Sequence, residues 1–558
     1  MCLNNMKQVL RIFFGGLLSL LLLAVLAGYF FRDQLQKLVL NRLLAKVEAT
    51  FGQYYQLEYK SLETTLDFSH FSLRLIKPVF TTDTLQRAYF KRYPPVYFKA
   101  DSLLVTGLKL RSLFLGKDIQ LHEIVLANPK LLLLSRDSSR YDSSGRVPQK
   151  KRKLINSIRL GSLRIADGDI SLLNASQLSD TVYYGEEIDF KLSDAYLPLQ
   201  NTGNIIRNMR VAQLVFAMDK VIIQPINSTY SFEMQRLQFD LAGDSIHGKD
   251  LKLLPERALY SLSKQAEYQK TFAKIALGDI ALHGLDYKKL DQNTVNVRKV
   301  VLQNARFFLL RNKNIQADPN LLKKSFRQGL AALPMQLNID SMLLADMQME
   351  FQLYALGKQE PAIIRLTKAN GFITNLHNTK DSSRLIQLQL KSNIMAHGKL
   401  DFEATFTPGN VAHSFKGHIY TMPFSDWNQV IGQMAPVKIE AGTIDGIQFW
   451  GKAGDMESRG TMIFSYHDLK ASVWKTDASG QTKKALLLSG AANLILRQNN
   501  PEHEKDKPES KPFYFRREPW QGPVMLWVGG LLDGIETTLI SEKNKSRLED
   551  AQKKRHKK

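Results

Sequence analysis

From Ile119 the chain reads IQLHEIVLANPKLLLL, with apolar residues at Ile119, Leu121, Ile124 and Leu126, then Asn128, then Leu131. The same offsets carry Ile158, Leu160, Leu163, Ile165, Asp167 and Ile170, then Val295, Val297, Val300, Leu302, Asn304 and Phe307, and again Leu337, Ile339, Met342, Leu344, Asp346 and Met349. Two weaker copies start at Phe98 and Ile275 and place Gly107 and Gly284 in the polar slot. Each half of the template alternates with period two, which predicts a strand with one buried face. The spacing of three between the halves flips that face unless a bulge or corner absorbs a residue. The slot held by Asn, Asp or Gly tolerates a left-handed backbone, and Asp167-Gly168 reads as a hairpin turn. Copies begin at 98, 119, 158, 275, 295 and 337, steps of about 20 residues or twice that, as in a stacked β repeat.

The remaining patterning divides the chain. Residues 12–31 carry no charge and, at about 1.5 Å per residue, match a ~30 Å hydrocarbon core, which predicts a retained transmembrane anchor after a short tail at 1–11. Leu35, Leu38, Val39, Leu43 and Val47 keep helical spacing, so 32–56 reads as a helical linker. A β repeat body then occupies 57–497, interrupted by a polar loop at 136–153. Short capping helices are predicted from Pro255 to about Phe272, from Asp318-Pro319 through Leu322, Phe326 and Leu330, and after Ser425. Ile386, Leu388 and Leu390 form one apolar strand face, and Leu400, Phe402, Ala404 and Phe406 another. Residues 498–512 read as a charged linker, 519–540 as an amphipathic helix and 541–558 as a basic tail. Trp527, Leu531 and Ile535 lie on that helix's apolar stripe, which suits a membrane interface or a partner.

Composition changes this picture in three places. Among 558 residues, 76 Lys and Arg against 53 Asp and Glu leave a net charge of +23, which favours anionic partners. Nucleic acid is not among those expected, because the charge is spread without a basic helix, finger spacing or aromatic RNA-binding signature. The one cysteine, Cys2, precedes the first apolar segment, so the body has no disulfide, thiol nucleophile or cysteine-based zinc site. Its 11 histidines are scattered, and His413 and His418, five apart in a strand, point to opposite faces. No glycine-rich phosphate loop or nucleophile elbow is present, so no catalytic residue, metal site or cofactor is assigned and the chain reads as a non-enzyme.

IQLHEIVLANPKLLLL, IRLGSLRIADGDISLL and VNVRKVVLQNARFFLL, followed by HGKLDFEATFTPGNVAHSFKGHIYTMPFSDWNQVI and AGTIDGIQFWGKAGDMESRGTMIFSYHDLKASV, resemble the AsmA-like family of Gram-negative envelope proteins, related to the bridge-like lipid transfer proteins. The resemblance implies a mainly β fold behind one N-terminal transmembrane helix, built as an elongated, taco-like β groove with a few capping helices. It also implies a single-pass inner-membrane protein with its body in the periplasm, an orientation that flanking charge alone does not fix. Membrane phospholipid or another acyl lipid would be the cargo, moved between envelope membranes in support of outer-membrane homeostasis, with an outer-membrane or envelope protein as a further candidate partner. Ile119, Leu121, Ile124, Leu126, Ile158, Leu160, Leu163, Ile165, Val300, Leu302, Met342 and Leu344 are the expected groove lining. The alternative is an envelope scaffold or outer-membrane assembly factor that conducts no lipid.

Overall fold

The computed structural model describes residues 55–67, 69–82, 96–114, 118–134, 156–173, 181–198, 209–225, 228–379, 384–407, 410–476, 482–484, 496–503 and 505–540. Ahead of them Gln34, Lys37, Leu38 and Asn41 are helical. The expected anchor at 12–31, the tails at 1–11 and 541–558, and the polar loop at 136–153 lie outside the described residues. Among those described, no helix is long and apolar enough to cross a membrane. The protein is mainly β with a few short helices. The chain divides into two compact units, Met1–Ile226 with Arg236–Gly243, and Asn227–Gln235 with Asp244–Lys558.

The first unit contains β1 (Tyr55–Glu58), β2 (Ser61–Asp67), β3 (His70–Ile76), β4 (Val79–Thr82), β5 (Val96–Lys99), β6 (Ser102–Lys109), β7 (Asp118–Ala127), β8 (Lys130–Leu134), β9 (Ser157–Leu173), β10 (Thr181–Pro198) and β11 (Gln213–Ile223). One ladder runs β2, β3, β6 and β7 onto the first half of β9; another runs β1, β4, β5 and β8 onto its second half. β10 and β11 extend both. β12 (Tyr230–Asp240) contributes its ends to different units.

The second unit holds β13 (Ser245–Pro255), β14 (Thr271–Leu285), β15 (Thr294–Gln303), β16 (Arg306–Asn312), β17 (Gln336–Tyr354), β18 (Ala362–His377), β19 (Ile386–Ile394), β20 (Gly398–Phe406), β21 (His413–Pro423), β22 (Val437–Ala453), β23 (Glu457–Thr476), β24 (Thr482–Lys484) and β25 (Ser510–Arg516). It repeats the same device, because β15 and β16 pair with successive halves of β17, both in parallel.

These parallel pairs set the strong template copies side by side in register. Ile119, Leu121, Ile124 and Leu126 face Ile158, Leu160, Leu163 and Ile165; Val295, Val297, Val300 and Leu302 face Leu337, Ile339, Met342 and Leu344. The weaker copies run antiparallel, with Phe98 opposite Leu131 and Ile124 opposite Val105, and with Ile275 opposite Phe307 and Val300 opposite Leu282. They fit because the template is close to its own mirror image, with a phase change three positions from each end. All six polar slots are left-handed, at φ of 66° for Gly107, 48° for Asn128, 54° for Asp167, 73° for Gly284, 56° for Asn304 and 47° for Asp346. The slots align with phase changes in neighbouring strands: Gly107 meets His122, and Gly284 meets Arg298.

The hairpin expected at Asp167-Gly168 does not form. β9 runs through it, and the left-handed residue acts as a bulge where the strand exchanges β7 for β8 as its neighbour. The helix expected at Asp318-Pro319 starts later, at Phe326–Ala331, because Ser325 and Gln328 form a reciprocal capping box that Asp318 does not. After Pro255 only Leu259–Gln265 is helical, and the chain is already a strand at Thr271. The helix after Ser425 is present as Asn428–Met434. Its Gln429 side chain accepts from the Ile363 amide at 2.9 Å and donates to the Pro361 carbonyl at 2.8 Å, blunting a strand edge.

A β-branched residue at a left-handed position costs about 1–2 kcal/mol, a cost that glycine avoids. Asn304→Val should therefore lower the thermal midpoint, whereas Asn304→Gly should nearly preserve it; a calorimetric scan of both variants checks this.

Candidate functional site

The twelve residues expected to line an apolar surface fall into two sets, one in each unit. In the first unit Ile119 and Leu121 pack against buried Phe71, Leu73, Leu75 and Leu108, and Leu121, Ile124, Ile158 and Leu163 pack against a second small nucleus of Leu160, Leu192 and Ala195. Leu126 and Ile165 face one another on the same paired strands. Leu121 and Ile124 join one cluster although three residues apart, so the phase change at His122-Glu123 keeps them on one face, as the spacing predicts. In the second unit Val300 is buried beside Val297 and Ile339, with Leu302 and Met342 packed against them. Leu344 is buried opposite Gly371.

Burial of this face is incomplete. Only Leu160, Val300 and Leu344 of the twelve are buried; the other nine are half-buried. A fully covered Leu or Ile gains about 1.5–3 kcal/mol, so each half-covered one retains on the order of 1 kcal/mol for a further layer. Across β20 to β25 that layer exists. Phe402, Phe415, Phe449, Met462, Phe464 and Phe513 are buried there, with Leu526 of the helix Met525–Leu539 among them.

The C-terminal helix does not offer its expected stripe outward. Trp527, Leu531 and Ile535 pack onto the protein's own core, and Val524, Val528 and Leu532 are the exposed apolar residues. Its glycines explain the close approach: a Cβ on Gly529 would lie 2.5 Å from the Phe515 ring, and one on Gly530 would lie 2.9 Å from Phe513. Trp527 stacks on Phe326 at 4.9 Å and donates its indole N–H to His413 Nε2 at 2.9 Å. Burial lowers the His413 pKa, and its accepting role requires an unprotonated Nε2. His418 lies on the opposite face and packs on Tyr420, so the two histidines share no site.

Nor is 498–512 a simple linker. Asn500 is fully buried, donates to the Phe464 carbonyl at 2.5 Å and pairs through its backbone with Tyr466, whose hydroxyl burial pushes up to about 12. Beyond it, the Arg517 guanidinium is buried and bound to Asp455 Oδ1 at 3.0 Å, with further bonds to the carbonyls of Asp455, Lys323 and Gln521. That clasp was not legible beforehand, because Arg516-Arg517 reads as surface charge. Among the described residues no group of three or more His, Cys, Asp or Glu is placed to hold a metal.

Removing the Arg517 charge should leave Asp455 and three carbonyls without their donor. Arg517→Met should lose about 3 kcal/mol or more, read as a shift in the urea midpoint. The depressed His413 pKa makes folding favour the neutral ring. Its contribution is complete above the unfolded value near 6.5 and is lost as pH falls through the lower folded value. Wild type should thus lose more stability than His413→Leu between pH 7.5 and pH 5, in parallel melts.

Compared with known proteins, the chain matches no family model and no curated protein.

Proposed function

We propose that the apolar strand faces line a groove that binds acyl chains, and that the protein carries phospholipid between envelope membranes from an inner-membrane anchor with its body in the periplasm. The observation that carries this reading is the in-register row of half-buried Ile119, Leu121, Ile124 and Leu126 against Ile158, Leu163 and Ile165. An apolar sheet face that its own chain leaves half covered favours a second apolar layer. Each acyl CH₂ placed there contributes about 0.8 kcal/mol, close to what it gives up on leaving a bilayer, so exchange with a membrane is nearly balanced. The AsmA-like pattern supplies the compartment and cargo in this proposal, and the net charge of +23 suits anionic head groups.

A second reading, an envelope scaffold without lipid conduction, draws support from the C-terminal helix, which covers β23 and β25 with the chain's own side chains.

Mass spectrometry of the detergent-purified full chain under non-denaturing conditions separates the two. Phospholipid should co-isolate with the wild type, and Leu126→Asp or Leu302→Asp, each at a half-buried position, should reduce bound lipid severalfold while the melting profile persists. Lipid-free protein at its bare mass, or unchanged lipid in both variants, would favour the scaffold.

A further inference from the structure

In the first unit an open cavity of about 950 Å³, with Leu121, Leu160 and Ala195 in its wall, lies where β6, β7, β9 and β10 change phase. His70, Lys109, His122, Arg159 and Arg210 line it, against one carboxylate, Asp194. Lys109 follows buried Leu108, and Arg159 precedes buried Leu160, so these cations project away from the apolar side. Among the described residues, Lys109, Arg159 and Arg210 have no acidic partner within 4.0 Å. Elsewhere on this unit Lys130 pairs with Asp169 at 2.8 Å and Lys220 with Glu186 at 3.0 Å. The Arg159 guanidinium carbon lies 5.5 Å from the centroid of the Tyr196 ring, within cation–π range. Gly107 and Gly161 in the cavity wall bring backbone, not side chain, up to His122.

We infer that this cavity is a binding site for a phosphate group. Cations that line one cavity repel one another wherever they approach within the ~8 Å screening length of physiological salt, and an anion placed among them relieves that repulsion. Guanidinium forks fit phosphate oxygens bidentately, and a phosphate has enough acceptors to engage two arginines and a lysine together, where a carboxylate does not. The site adjoins the proposed acyl groove through Leu121 and Leu160, while its cations are side chains that the groove does not use. Its phosphate comes either from a lipid head group or from a soluble phosphate.

Calorimetric titration of the full chain in neutral detergent at low salt tests this, with inorganic phosphate, dihexanoyl phosphatidylglycerol and dihexanoyl phosphatidylcholine as probes. The triple variant Lys109→Gln, Arg159→Gln, Arg210→Gln should bind inorganic phosphate or phosphatidylglycerol at least tenfold more weakly than wild type. A control triple of Lys252→Gln, Lys274→Gln and Lys299→Gln removes equal charge at exposed positions in the other unit and should bind as wild type does. Phosphatidylglycerol bound tighter than inorganic phosphate, with that advantage lost in the first triple, identifies a head-group site; equal affinity identifies a soluble phosphate. Absence of binding by either anionic probe, equal weakening by the control triple, or retention of affinity in the first triple overturns the inference. Co-isolated phospholipid in the first triple should match wild type, whereas Leu126→Asp should lose it and keep phosphate affinity, so the two proposals fail separately.

Discussion

Strict alternation is the constraint on which both units depend, because a strand has only two faces and one skipped residue exchanges them. A sheet whose strands bend without losing their apolar side needs a residue that absorbs the extra step. The protein supplies one at each bend, in rows that cross neighbouring strands: Asn128 beside Asp167 in the first unit, and Asn304 beside Asp346 in the second. Asn, Asp and Gly fill the template slots because a short polar side chain, or none, tolerates positive φ. Lys77, Glu187, Lys220 and Lys368 also adopt it, at a steric cost that the paired neighbours on both sides must hold in place.

Around this frame the second unit ends in a sealed block. Its helix Met525–Leu539 approaches β25 through glycine, and Arg517 ties three backbone segments together beneath it. Against β6 and β7 the described residues place the five-residue helix Leu110–Phe114, and Ile119, Leu121, Ile124 and Leu126 stay half-buried. The contrast between a face closed by its own chain and one left half covered is the physical basis for assigning a ligand to the second kind.

Much of this was legible in the sequence because it depends on local rules. The offsets of Ile119, Leu121, Ile124 and Leu126 fixed the buried side, and the polar slots marked the left-handed residues. The alternation from Leu400 to Phe406 gave the face that now meets Trp527. What failed were inferences about direction and partnership. Asp167-Gly168 has the composition of a turn, yet the pairing available on both flanks carries β9 straight through. Trp527, Leu531 and Ile535 formed a recognisable stripe, but a stripe does not say whether it meets lipid, a partner or its own sheet. Lys109, Arg159 and Arg210 come from three separate segments, so no linear spacing announced them.

The near-mirror symmetry of the template has an evolutionary consequence. A segment of this pattern presents the same side chains to its neighbours whichever way the chain runs, so a duplicated copy can join either parallel or antiparallel. Growth or loss by whole strands is therefore tolerated, whereas deletion of a single residue between two bends would turn the following stretch of wall inside out. Selection on such a chain acts on spacing more than on identity, which allows sequences to drift far apart while the architecture persists.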